Sequence, residues 1–279
     1  MSGQALGQRT PWKKIYALPA EHGSWIWWIG PLVLGTAAAG RLTVDLIPLT
    51  AALFSAFLLR QPISLLVKIM SGRRPKSDLP PVKLWLCLYG FLLAIAGFVL
   101  IGRGFERLLL LLIPGAPVFG WHLWLVSKRE ERGQRGIEIF GAGVLALAAP
   151  AAYWICDGNS PYLPWILWLL AWLQSTASIV LVYLRLDQRG WQSEMTVRGN
   201  LRAGGRALRY HLANTLIAVG LVVINILPWG IALAFILVLI DALVGILQPA
   251  TGQRPTRIGL RQLLSSTSFY LLASLAFIV

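Results

Sequence analysis

A set of ionisable and strongly polar side chains lies inside or at the edges of long apolar runs: Glu21, His22, Arg60, Gln61, Lys68, His122, Glu138, His211, Asn214 and Asp241. Such groups are expensive at membrane depth and commonly face a bundle interior or a wet cavity. Each suggests a chemistry. Glu21 and His22 are adjacent, and a carboxylate beside an imidazole that titrates near neutral pH makes an acid–base pair. The same Pro19-Ala-Glu-His22 stretch also reads as a capped helix start, with proline in the first turn and a carboxylate near the positive end of the dipole. Arg60 and Lys68 suit an anionic group, because a guanidinium grips phosphate or diphosphate in a planar, bidentate way. Gln61, His122, Asn214 and Asp241 join them as substrate-binding candidates, and His211 joins Glu21 and His22 as a catalytic one. Plainer roles stand beside these. Lys68, Glu138 and His211 are near run ends and can reach the interface. An Arg60–Asp241 ion pair would tie two helices together, and His122 reads equally as a hydrogen-bonded packing residue.

The elements that must position these groups follow from composition. The chain has 279 residues, of which 57% are hydrophobic and 13% charged, with a mean hydropathy of +0.67. A soluble domain carries about 25% charged residues. This composition excludes a disordered chain, a nucleic-acid-binding globule and an ordinary cytosolic enzyme. The remaining class is an all-α, polytopic transmembrane bundle. A span needs about 20 apolar residues, and the runs give nine: 24–40, 46–70, 82–102, 106–126, 137–156, 163–184, 211–227, 228–248 and 263–279. They form one membrane domain, 24–279, after a cytoplasmic tail, 1–23. Pro62 predicts a bend or local unwinding of the second run, and Pro114 and Pro117 predict a kink in the fourth. The segments Ser71-Gly-Arg-Arg-Pro-Lys76 and Thr251-Gly-Gln-Arg-Pro255 read as helix stops, with glycine at the cap and proline beyond it. Gly141-Ala-Gly143 suggests close helix packing.

The balance of 25 Lys+Arg against 11 Asp+Glu leaves a formal charge of +14. In a membrane protein such an excess marks cytoplasmic loops and contact with anionic head groups. With the N-terminus cytoplasmic, all but four of the 25 basic residues (Arg41, Arg60, Arg103 and Arg107) fall in cytoplasmic segments. The odd span number then puts the C-terminus on the opposite side. The polar candidates map to the cytoplasmic half, which predicts a polar cavity open to that side. Arg198, Arg202, Arg206 and Arg209 share one helical face in the loop 185–210. They suit either an amphipathic helix lying on anionic lipid or a lid over the cavity. Most of the 13 tryptophans fall at run ends as an aromatic belt, while Trp168 and Trp172 continue inward and could line an apolar slot. Cys87 and Cys156 have no disulfide or metal spacing, and no cleaved signal peptide is expected. No Walker loop, His/Cys metal cluster, nucleophile elbow or dinucleotide fingerprint is present in the sequence.

Glu21-His22-Gly23-Ser24-Trp25, Arg60-Gln61-Pro62, Tyr210-His211 and Arg254-Pro255…Arg257-Ile258-Gly259 together resemble the YwiC-like family of integral membrane proteins. That resemblance singles out Glu21, His22, Arg60 and His211 and implies no particular reaction. The architecture is more loosely similar to the UbiA-type prenyltransferases. In those enzymes paired Asp-rich motifs in the second–third and sixth–seventh loops hold a prenyl diphosphate through magnesium. Here those loops carry only Asp78, and Asp187 with Glu194. Magnesium prefers carboxylate and phosphate oxygens, so cationic side chains would have to neutralise a leaving group instead, and no metal site is expected. The expected function is a membrane-embedded transferase acting on an isoprenoid or other lipid, phosphorylated lipids included, from the cytoplasmic side. Its partners are membrane lipids and not nucleic acid, its cofactor is open, and its setting is a bacterial-type cell, inner or thylakoid membrane. The rival readings are a transporter or permease for a small anion and a non-catalytic membrane assembly protein.

Overall fold

The computed structural model describes residues 14–19, 22–130, 133–191 and 196–279, and of His22 the backbone alone. Regular structure among the described residues is helical throughout: α1 (Lys14–Ala17), α2 (Ile26–Ala39), α3 (Leu46–Met70), α4 (Leu79–Gly102), α5 (Leu112–Lys128), α6 (Arg135–Ala146), α7 (Ala148–Ile155), α8 (Leu163–Gln188), α9 (Val197–Ala203), α10 (Gly205–Val223), α11 (Trp229–Leu247) and α12 (Pro255–Leu275). Short 3-10 segments precede α2, α4 and α5.

Six helical segments among the described residues are long and apolar enough to cross a membrane: Leu46–Met70, Lys76–Gly102, Glu106–Lys128, Arg135–Ile155, Leu163–Gln188 and Trp229–Leu247. α2 has 14 residues, fewer than a simple span needs. α10 and α12 reach 19 and 21 residues but carry polar groups along their length. All nine apolar runs are helical. The largest boundary differences are at α10 and α12, which start at 205 and 255. Their first turns are arginine-rich and helical without being apolar, so the hydrophobic pattern begins later than the helix does.

The chain divides into two compact units. The first comprises the described parts of 1–21, 47–109 and 116–134, and so holds α1, α3, α4 and most of α5. Its small core is Tyr16, Leu65, Ile69 and Val82. Short α1 is fastened by polar bonds. Tyr16 donates to Asp78 Oδ1 at 3.0 Å, Gln61 Nε2 to the Ile15 carbonyl at 2.9 Å and Tyr89 to the Ala17 carbonyl at 3.1 Å. Arg74 closes on the other oxygen of buried Asp78 at 3.0 Å. Contrary to the expectation of unwinding, α3 stays helical through Pro62. A proline costs one backbone bond, and twenty-five residues of continuous helix absorb that loss.

The second unit comprises 22–46, 110–115 and 135–279, which includes α2 and α6 to α12. Leu34, Leu167, Leu170, Phe235, Phe269 and Tyr270 are at the centre of its core. Phe269 meets Phe235 edge-on, with centroids 4.8 Å apart, an arrangement favoured by the ring quadrupoles. Small residues bring backbones together: a Cβ at Gly35 would overlap the Ala149 carbonyl, and one at Gly143 would sit 2.7 Å from the Trp172 ring. Trp168 and Trp172 pack against each other, tilted by 32° with centroids 5.2 Å apart, and donate to the Gly143 and Ile139 carbonyls at 2.9 and 2.8 Å, which pins α8 to α6. Gly72 and Gly252, one in each unit, have φ of 69° and 66°. The left-handed conformation ends a helix at little cost only for glycine, so both segments are the helix stops that their sequences suggest. Between α10 and α11 the turn places Asn225 at φ 59°, with Pro228 just before α11.

Candidate functional site

Four helices of the second unit bring polar side chains into their shared interior. α8 contributes Gln174, Ser175, Ser178, Arg185 and Gln188, all buried. The spacing 174, 178, 185, 188 follows the helical repeat, so one stripe of α8 is polar in an otherwise apolar helix. α10 adds buried His211, Asn214 and Thr215. α11 adds Asp241, and α12 adds Arg261, Gln262 and Ser266.

The strongest interaction among these residues is an ion pair. Arg261 donates to Asp241 Oδ1 through Nη2 at 2.7 Å and Nε at 3.0 Å, and to the Asp241 carbonyl at 3.2 Å. Asp241 is thus held by the neighbouring helix, and Arg261 takes the place of the Arg60 partner that the sequence suggested. Arg185 is 4% exposed. Its Nη1 donates to the Gly245 carbonyl at 2.6 Å, its Nε is buried without a hydrogen-bond partner, and it lies in the field of both Arg261 and Asp241. Asp241 also acts on His211. Both ring nitrogens of His211 are buried outside hydrogen-bond geometry, with the Ala177 carbonyl alongside. Asn214 donates to the Leu173 carbonyl at 2.8 Å, and Gln262 donates to Ser178. The side-chain amide of Gln174, 1% exposed, has neither its oxygen nor its nitrogen satisfied.

Two guanidiniums therefore face one carboxylate. Even with a neutral imidazole, the cluster keeps a positive excess. Buried charge is costly unless matched, so the arrangement favours an anion. With the Ala177 carbonyl alongside, the neutral His211 ring has one donor and one acceptor nitrogen and can pass a proton. An open cleft of about 650 Å³ lies at the start of α12, lined by Thr251, Gly252, Gln253, Arg254, Thr256, Arg257 and Leu260. Arg257 is one helical turn ahead of Arg261. Among the described residues no group of three or more His, Cys, Asp or Glu is placed to hold a metal ion.

The sequence candidates fall into two sets. His211, Asn214 and Asp241 are in the second unit, on α10 and α11. Arg60, Gln61, Lys68 and His122 are in the first, where all four are half-buried. Gln61 spends its amide on α1. Arg60 and Lys68 share one face of α3, and His122 on α5 faces Ser64 of that same face, with Nε2 and Oγ 3.3 Å apart. Glu21 lies outside the described residues. His22 opens the 3-10 turn ahead of α2. Sequence reasoning missed Gln174, Ser178, Arg185 and Arg261. Their signals were available: Gln174-Ser-Thr-Ala-Ser178 interrupts an apolar run, and Arg257 and Arg261 are one turn apart. Arg185 read as a loop residue because α8 continues to Gln188. In the loop 185–210, Arg198, Arg202, Arg206 and Arg209 are exposed along α9 and the start of α10.

An all-helical chain with this many apolar, membrane-length helices is an integral membrane protein. Residues 18–153 match the family model described as YwiC-like protein, so over that stretch, α2 to most of α7, the chain is similar to the YwiC-like proteins. The α8–α12 cluster lies beyond it. No curated protein and no solved structure matches the chain.

Proposed function

We propose that the protein is a UbiA-like, membrane-embedded transferase that takes a lipid-borne substrate with an anionic head group, an isoprenoid or other phosphorylated lipid, into the α8–α10–α11–α12 cluster. The observation that carries this reading is the positive excess of Arg185 and Arg261 over Asp241, continued outward by Arg254 and Arg257 in the cleft. Arginines would hold the head group, His211 would move a proton, and the apolar helices would hold the tail. Glu21, His22, Arg60 and Lys68 remain candidates for the same chemistry. In this reading the chain crosses the membrane nine times, with its N-terminus and arginine-rich segments cytoplasmic. The test is retention of anionic lipid by the purified protein, read by mass spectrometry of the extracted complex. Arg185→Gln and Arg261→Gln are expected to lose most of the retained anionic lipid and to keep the zwitterionic lipid. Equal retention by wild type and both variants overturns the reading.

The second reading is a permease for a small anion. It is favoured by His211 buried in the field of Asp241, an arrangement suited to proton coupling. Proton-driven anion uptake into proteoliposomes, abolished in His211→Ala, would select it.

A further inference from the structure

We propose that Ser64 and His122, in the first unit, form a nucleophile–base pair for acyl transfer from a carboxylic ester carried on an anionic amphiphile. This goes beyond the reading above and uses a different unit. Helical hydroxyls in a membrane ordinarily turn back to their own backbone. Thr36, Ser175, Thr215 and Thr267 all do so here, each donating to the carbonyl four residues earlier at 2.8–2.9 Å. Ser64 does not. Its Oγ reaches across to His122 Nε2 on α5, at 3.3 Å. A nucleophile and base at this separation in an unliganded site match the geometry of an activated hydroxyl, which tightens when substrate binds. Ser64 is 9% exposed, whereas His122 is half-buried, so a substrate approaches the pair from the imidazole side. Phe119, one turn earlier on α5, lies nearly parallel to the imidazole at 22° and 6.4 Å and steadies its plane. Arg73 donates to the Val126 carbonyl, fixing the end of α5 within the unit. Arg60 and Lys68 are one helical turn to either side of Ser64 on α3. They place positive charge where an anionic head group and a developing oxyanion need it.

The step balances without a metal or redox partner. With Nδ1 carrying the ring proton, Ser64 donates to Nε2. Oγ attacks the ester carbonyl carbon as its proton passes to His122. The bond from carbon to the alcohol oxygen breaks, and His122 returns the proton to the leaving alkoxide. Water, deprotonated by His122, then hydrolyses the acyl-serine, and the proton restores the Ser64 hydroxyl.

The test is labelling of the full-length protein in detergent with a fluorophosphonate probe, which phosphonylates activated serine and expels fluoride. Trypsin releases peptide 61–68, in which Ser64 is the only hydroxyl residue. The probe mass is expected on that peptide. Ser64→Ala should not label there, and His122→Gln should label roughly a hundredfold more slowly. Glutamine keeps a polar partner for Ser64, so His122→Gln retains the helix tie and removes only the base. Wild type unlabelled at peptide 61–68, or His122→Gln labelled at the wild-type rate, overturns the proposal. If Ser64→Ala does not fold, the modified wild-type peptide and the His122→Gln rate still decide. For the substrate class, lysophosphatidylglycerol should be hydrolysed faster than lysophosphatidylcholine, and Arg60→Gln with Lys68→Gln should remove the difference through KM. Equal rates in wild type overturn the anionic assignment.

Discussion

The two units use the same kind of residue in opposite ways. In the first, the window of Lys76–Gly102 has a mean hydropathy of 2.5, yet only 17% of it is buried. For Glu106–Lys128 the buried share is 11%. In the second, Arg135–Ile155 has a lower hydropathy of 1.5 and is 61% buried, as is the window of Leu163–Gln188 at a hydropathy of 1.8. Apolarity and burial are therefore uncoupled. In lipid, a leucine gains little by leaving one hydrocarbon for another, so helices join through small residues, ring packing and polar bonds. The second unit has all three: Gly35 against Ala149, Phe235 against Phe269, and the polar stripe of α8. The first unit is tied by the fastening of α1, by Ser64 to His122 and by Arg73 to the Val126 carbonyl, while the windows of its most apolar helices stay largely unburied.

The largest expected effect separates the units directly. Phe269→Ala should cost about 3–5 kcal/mol, because the ring is 1% exposed. Phe98→Ala, at a residue 80% exposed, should change stability by less than about 0.5 kcal/mol. Thermal unfolding in one detergent measures both. Equal losses would show that the two units are packed alike.

How much of this was legible in the sequence follows from the same contrast. The helices were legible because long apolar runs announce themselves whether they face lipid or protein. The spacing of Arg198, Arg202, Arg206 and Arg209 already marked a helical face, but not its continuity with the apolar part of α10; the first turn of α12 was hidden because Arg257 and Arg261 precede the apolar run and follow a helix stop. His211, Asn214 and Asp241 stood out as polar residues in apolar runs. The partner of Asp241 did not, because a pairing between helices is decided by packing and leaves no trace in spacing. Ser64 was hidden for a simpler reason: serine is common in membrane helices, and only the position of His122 distinguishes it.

A smaller effect should come from the polar cluster. Arg261→Gln leaves Asp241 without its ionic partner and should cost about 1.5–3 kcal/mol. Adding Asp241→Asn should recover part of that, because the stranded charge is then removed. A double variant no better than the single one would mean that the pair is not the reason for the loss. Next, Trp172→Phe removes the bond to the Ile139 carbonyl while keeping most of the ring contact, for about 1 kcal/mol. Tyr16→Phe in the first unit should cost a similar amount through Asp78 and leave the unfolding of the second unit unchanged. The least effect is expected from Arg198→Gln with Arg202→Gln. Both side chains are exposed, and stability should hold within about 0.5 kcal/mol.

The row of indoles on α7 and α8 has an optical consequence. Trp154, Trp165, Trp168 and Trp172 succeed one another at centroid separations of 5.5, 6.2 and 5.2 Å. Excitation absorbed by one hops to the next before it is emitted, so light from this part of the molecule leaves with its polarisation scrambled. Interrupting the row at Trp168 with phenylalanine should raise the steady-state anisotropy, giving a built-in reporter of whether α7 and α8 remain together.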